Sequence, residues 1–179
     1  MAQRLRYTGE PVITPDDVAA QARATLVGTE LALVRDVIIP AVTAQCESLT
    51  GAAIRLAEYQ QAYLPDKAGA CWLDHGQVRN IIAVTAADGT VIDSDDYRVI
   101  HTQRESAVQP VGLPMRFDRV TYEAGVDLKA YPGVKAWLLM AAATLYAQRE
   151  LLITGTIVAS VPASFIDHML AEITVPPRF

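Results

Sequence analysis

The residues with the means to do chemistry are three histidines, two cysteines and a cluster of aspartates. Asp74 precedes His75, and His101 closes a run of strand character, which puts an acid and a base within reach of a proton-transfer reading. No nucleophile or third partner stands at a recognisable spacing, and the GxSxG, HExxH and P-loop patterns are absent. The histidines are therefore read as structural. Asp93, Asp95 and Asp96 resemble the first half of a calcium loop. The sixth position of such a loop, a glycine, is Arg98 here, and the twelfth, a bidentate glutamate, is Arg104. An exposed acidic turn is the expectation. Cys46 and Cys71 lack the paired spacing of a zinc site and are expected to be buried free thiols. Trp72, Trp137 and the tyrosines are not interleaved with Lys or Arg, so they are read as core or protein-interface residues rather than base-stacking platforms. The residues thus predict no metal, no cofactor and no catalytic group, and a binding or structural role leads.

Composition narrows the classes further. At 179 residues the chain suits one domain with a proper core, and its 51% apolar and 20% charged content is that of a globular protein rather than a disordered one. A net charge of −5 argues against wrapping nucleic acid, which needs clustered Lys and Arg to neutralise phosphates. The opening MAQRLRYTGEPV lacks the apolar core of a secretory signal, so free thiols in a reducing compartment and no membrane association are expected.

The elements that must position these residues are organised around residues 131–152. Val134, Trp137, Leu138, Ala141, Leu145, Arg149 and Leu152 recur at three- and four-residue steps, one face of an α-helix. Pro132 fits its first turn, and Gly155 can end it. Its uncharged stretch, Ala136 to Ala147, is about a dozen residues, short of the ~20 a membrane helix needs. Trp137, Leu138 and Leu145 are expected to bury against an earlier helix carrying Leu31, Val34, Ile38 and Val42.

In chain order, residues 1–13 read as a loose arm. Residues 14–50 are helical: Thr14 caps, Pro15 takes the first turn, and Asp17 fills the capping-box position. Thr29 is expected to cap the second helix, and Pro40 should break or kink it near Asp36. Residues 54–125 read as strands and turns, with Asp88-Gly89 as a hairpin turn and Phe117–Glu123 as a half-buried strand. Helices resume over 131–173, the last with Phe165, Met169 and Ile173 on one stripe. Residues 174–179 form a tail in which Pro176 and Pro177 stop the helix and hold the chain extended. The fold class expected is α+β: a helical bundle on a long central helix, with a small inserted antiparallel β region, a single domain over 14–173 and a carboxyl-terminal extension. Arg178 and Phe179, an arginine and an aromatic on an extended segment, suit an interface anchor. Partner contacts are accordingly expected at Pro176, Pro177, Arg178 and Phe179, and at the acidic turn Asp93, Asp95 and Asp96.

Together these pieces resemble the head–tail connector, or adaptor, family of long-tailed bacteriophages, from Ile13 to about Ile173. The order is an ITPDDV helix, a helix ending CESLTG, the segment VRNIIAVTAADGTVIDSDDYRVI, then VTYEAGV, then the helix YPGVKAWLLMAAATLYAQRE. The sequence departs from the pattern at Leu73-Asp74-His75-Gly76, where relatives often carry a proline-rich turn. The resemblance implies a non-enzymatic virion protein at the head–tail interface, made in the host cytoplasm. It further implies a homo-oligomeric ring, commonly a dodecamer, that contacts the portal protein and tail-completion or tail-terminator proteins. Genome DNA would pass through its channel during ejection without specific binding. The acidic composition agrees with such a channel. The alternatives are another ring-forming head- or tail-completion protein, or a small-ligand-binding or enzymatic domain.

Overall fold

The computed structural model describes residues 2–112, 117–151 and 168–176, the side chains of 149–151 aside. Two compact units emerge: one from residues 1–10, 51–126 and 173–179, the other from 11–50 and 127–172.

The first unit is built on strands. Four of them, β1 (Gln3–Tyr7), β2 (Ala57–Ala62), β7 (Phe117–Ala124) and β4 (Val78–Ala86), form one antiparallel sheet in the order β1-β2-β7-β4. Three more, β3 (Cys71–Trp72), β6 (Ser106–Pro110) and β5 (Tyr97–His101), form a second in the order β3-β6-β5. The period-two pattern sets the register. Tyr59 pairs with Tyr122 and Gln61 with Val120 on the inward face of the larger sheet, whereas Glu58 pairs with Glu123 and Gln60 with Thr121 on the other. Inward residues of both sheets share one core: Ala57, Tyr59, Val84, Val120 and Tyr122 meet Leu73 and Val108. Tyr63 and Tyr97 set their rings edge-on to Phe117, at centroid distances of 5.0 and 6.4 Å. The Asp88-Gly89 turn forms as expected. Gly89 adopts φ +85°, the Thr90 amide donates to Asp88 Oδ1, and Thr85 bridges Val91.

The second unit is helical. In α1 (Pro15–Ala22) the capping box is complete: the Asp17 amide donates to Thr14 Oγ1 at 3.1 Å, and the Thr14 amide to Asp17 Oδ2 at 2.9 Å. Helices α2 (Thr29–Leu33) and α3 (Ile39–Thr50) are joined through a π-helical segment, Val34–Ile38, into one helical run over 29–50. Gly28, not Thr29, occupies its N-cap position. Pro40 has no N–H to offer Asp36, and the wider π turn, closed by Ile39 N–H to the Val34 carbonyl, is how the chain passes it without stopping. Helix α4 (Pro132–Leu151) lies against α1, the π segment and α3. Val134, Trp137, Leu138 and Ala142 are buried on its inner face, and Val34, Ile38 and Val42 are buried on the run that precedes it. Lys135 Nζ meets Asp17 Oδ1 at 3.1 Å, tying α4 to α1.

Four expectations need correction. The molecule is not a helical bundle with a β insertion: two antiparallel sheets, of four and three strands, are as abundant as the helices. Leu145 is not buried but 40% exposed, because the inward face rotates to Ala142 after Leu138. Leu31, at 36%, also lies at the margin. Residues 3–7, read as loose, are the edge strand β1, with Gln3 paired to Gln60 and Tyr7 to Ala57. Gly155 and the expected elements over 156–167, Phe165 among them, lie outside the described residues; of the rest of that stripe Ile173 is buried and Met169 half-buried, and Leu170 beside it is buried. No helix among the described residues is long and apolar enough to cross a membrane.

Candidate functional site

The acidic turn is built as its sequence suggests. Asp93 caps a single 3-10 turn, Ser94–Asp96, its side chain accepting from the Asp95 amide at 3.1 Å. Asp93 and Asp95 are exposed and Asp96 is half-buried. The turn follows Ile92, whose amide donates to the Val84 carbonyl, and leads into β5. Among the described residues no group of three or more His, Cys, Asp or Glu is placed to hold a metal ion.

The two histidines engage different partners. His75 packs on the Tyr59 ring at 4.3 Å, and its amide donates to Tyr122 Oη at 3.4 Å. His101 Nδ1 lies 2.9 Å from Ser106 Oγ across the β5–β6 pair. Both cysteines are buried free thiols, as expected. Burial, with Glu47 nearby, pushes the Cys46 thiol up to about 12, so it stays protonated and a poor nucleophile.

A cluster that the sequence did not signal lies beside His75. Gln61, buried on β2, donates from Nε2 to the Trp72 carbonyl at 3.0 Å and accepts at Oε1 from the Asp74 amide at 2.9 Å. The Tyr122 hydroxyl donates to the same Oε1 at 3.3 Å. Burial drives the Tyr122 hydroxyl pKa far above its ordinary value, so it remains a neutral donor. This glutamine fixes the backbone of 72–74 from within the sheet. Beyond it, Asp66 gathers the amides of Ala68 and Ala70 on Oδ1 and the Trp72 indole N–H on Oδ2 at 3.0 Å. These bonds, led by that from Ala70, hold its carboxyl below the usual range, so it is charged at neutral pH. Leu64, Pro65 and Trp72 line one side of a cleft of about 260 Å³, with Gln61, Asp66 and Asp74 supplying its polar groups. The signal available in the sequence was Pro65-Asp66-Lys67-Ala68-Gly69, a turn in which aspartate can serve the following amides.

The tail approaches the same loop. Gly76 has room only for a hydrogen: a Cβ there would lie 2.6 Å from the Arg104 carbonyl oxygen and 2.7 Å from Val175 Cγ2. Val175 also faces Gly51, and Pro176 is exposed. Pro177, Arg178 and Phe179 lie outside the described residues.

The one hydroxyl–imidazole pair described above, Ser106 with His101, has its serine buried between strands. The fold is similar to that of solved chains from gene transfer agent particles. A chain of the virion of a native gene transfer agent particle superposes with a TM-score of 0.73 at 16% identity, over 99% of this chain and 97% of that one. A chain from the neck of an empty gene transfer agent particle, computed with C6 symmetry, gives 0.73 at 14% identity over the same shares. One from the neck of the native particle, computed with C12 symmetry, gives 0.65 at 16%. No family model and no curated protein matches the sequence.

Proposed function

We propose that the chain is a structural, non-enzymatic neck protein of a phage-like virion. In this reading it forms a homo-oligomeric ring between portal and tail, as a head–tail adaptor that continues the DNA channel. The observation that carries the proposal is likeness along almost the whole chain to chains of virion and neck particles, 99% of it against 97% of theirs. Symmetry of the neck particles supports a ring, and twelve copies is the stoichiometry proposed. A net charge of −5 suits a channel that lets DNA slide by without neutralising its phosphates. The acidic turn at Asp93, Asp95 and Asp96, and the tail Pro176–Phe179, are proposed to meet the portal, a neighbouring subunit or a tail-completion protein.

The test is mass and place. Light scattering on the purified chain, alone and mixed with its portal, should show a ring or a portal-bound ring, and imaging of the particle should find the chain in the neck. A chain that stays monomeric with portal present, and that is missing from the neck density, would refute the proposal.

A further inference from the structure

We propose that strand β1 is an exchangeable arm: in the ring, residues 2–9 of each copy leave their own sheet and complete the β2 edge of a second copy. The proposal rests on the ring reading and gives it a contact between neighbouring copies that it does not name. Connectivity comes first. Residues up to Glu10 group with the strands, whereas residues 11–50, to which they are covalently joined, belong to the helical unit. The arm is thus tethered to the helical unit by the chain and held on the strands by non-covalent contacts alone. Pro11, exposed, stands at the crossing, where it fixes its own φ and biases Glu10 toward an extended backbone. Short crossings of this kind favour exchange between copies over folding back.

Burial comes second. All five residues of β1 are exposed, and the core of the larger sheet is filled from β2, β7 and β4 by Tyr59, Tyr122, Val120 and Val84. Of the arm, Ala2 alone packs against that core. What holds the rest is a set of directional bonds. Gln3 pairs with Gln60 and Tyr7 with Ala57 in the ladder, and Arg6 meets Glu58 at 2.8 Å. The Ala2 amide donates to the Asp74 carboxylate, Thr8 Oγ1 donates to Glu123 at 2.6 Å, and the amides of Thr8 and Gly9 share the Leu56 carbonyl at 3.0 and 3.1 Å. Each of these partners recurs on every copy, so an arm from a neighbour finds the same bonds. In a lone protomer the tether keeps the arm at home. In a ring the next copy's edge is held close, and the high effective concentration makes it an equal host. Residues 2–9 extended span about 26–29 Å at 3.3–3.6 Å per residue, enough to run along a neighbouring sheet edge. An edge that has given up its strand is a ready template for another. Each copy then gives one arm and takes one, a head-to-tail contact that closes into a ring.

The experiment uses the Gln3–Gln60 pair, whose Cα atoms are partners in the ladder. Facing residues on antiparallel strands lie about 4.5–5.5 Å apart, within disulfide range. Gln3→Cys and Gln60→Cys are made as two separate chains, mixed, assembled into rings, alone or on the portal, oxidised and run without reductant. Neither chain can close this bridge within itself, and Cys46 and Cys71 are buried. Exchange should give a band at twice the chain mass, containing one chain of each kind, in mixed rings and not in rings of either variant alone. Mixed rings that run as single chains overturn the proposal. A chain carrying both substitutions supplies the converse: its oxidised rings should run as chains linked in series, and single chains lacking two hydrogens, the mark of a bridge within one chain, overturn the proposal as well. Circular dichroism confirms that the variants fold. Light scattering on the same samples reads the ring itself, so a missing ring, which counts against the ring reading, is told apart from a ring without the bridge.

Discussion

Helix α4 offers a matched pair for testing how the helical unit is packed. Leu138 and Leu145 sit two turns apart on the face that the sequence marks as buried, yet Leu138 has no exposed surface and Leu145 is 40% exposed. Leu138→Ala removes three carbons from a filled site between α4 and its neighbours. Transfer and cavity terms together put the loss at about 2–5 kcal/mol. For Leu145 the same three carbons are worth about 2.4 kcal/mol at ~0.8 each if fully buried. Scaling by the buried fraction, with no enclosed cavity left behind and a small gain from alanine's helix propensity, brings the loss to about 1 kcal/mol or less. For a chain of this length each kcal/mol moves Tm by about 2–4 °C. Leu138→Ala should therefore melt roughly 5–15 °C below the parent, and Leu145→Ala within about 4 °C of it. Thermal melts followed at 222 nm, with the near-ultraviolet band of Trp137 as a second probe, read the difference. Equal losses for the two variants, or a loss below about 1 kcal/mol for Leu138→Ala, would refute the packing argument.

Other expectations follow from single contacts. Burial raises the Asp17 pKa, but the Thr14 amide and hydroxyl and Lys135 lower it more, so its folded value lies below the ordinary one. Its contribution is present above the unfolded pKa of about 3.9 and is lost as pH falls through the folded value; Asp17→Asn should lower stability at neutral pH and flatten that acid-side decline in pH-dependent melts. Cys46, with its pKa near 12 and no exposure, should resist iodoacetamide at pH 8 in the native chain and react once urea unfolds it. At the acidic turn, Asp95→Ala should leave Tm within about 2 °C, and Asp93→Ala should cost about 1 kcal/mol because it removes the cap on the Asp95 amide. Loss of ring assembly in Asp95→Ala without loss of stability would mark the turn as a partner contact.

What was legible in the sequence is what local chemistry decides. Thr14, Pro15 and Asp17 lie within one turn, and their cap forms as written. Pro40 forces a change near Asp36 whatever surrounds it, and the π segment is that change. Asp88-Gly89 turns because glycine accepts a positive φ there. The cleft was illegible for the opposite reason. Its parts come from β2, the turn after it and the loop beyond Trp72, and they are joined by side-chain bonds that span them: Gln61 to backbone eleven and thirteen residues away, and Asp66 to the Trp72 indole. No spacing rule marks a buried glutamine as a brace.

The misjudged fold class has a physical source of the same kind. The β region was found over nearly its true extent, but it was given a subordinate place because its helical neighbours carry the stronger periodicity. Strand β1 explains why that ranking fails. Its five residues, QRLRY, are all exposed and show no buried face, so nothing in their own pattern announces a strand. What makes them one is a partner about 50 residues away: the ladder to β2, Arg6 to Glu58 at 2.8 Å, and Tyr7 held between the guanidiniums of Arg4 and Arg55 at 4.3 and 4.1 Å. Strand β6 was missed similarly: Ser106-Ala107-Val108 is buried throughout, so it has no alternation to read, yet it is the middle strand of its sheet. Strand β7 then takes the role that α4 seemed to own. It pairs along its length with β2 on one side and β4 on the other, and it sends Val120, Tyr122 and Ala124 into the core that both sheets share. A larger sheet that closes through β7 is organised by pairings between residues more than 30 positions apart, and helical periodicity, however strong, cannot report those.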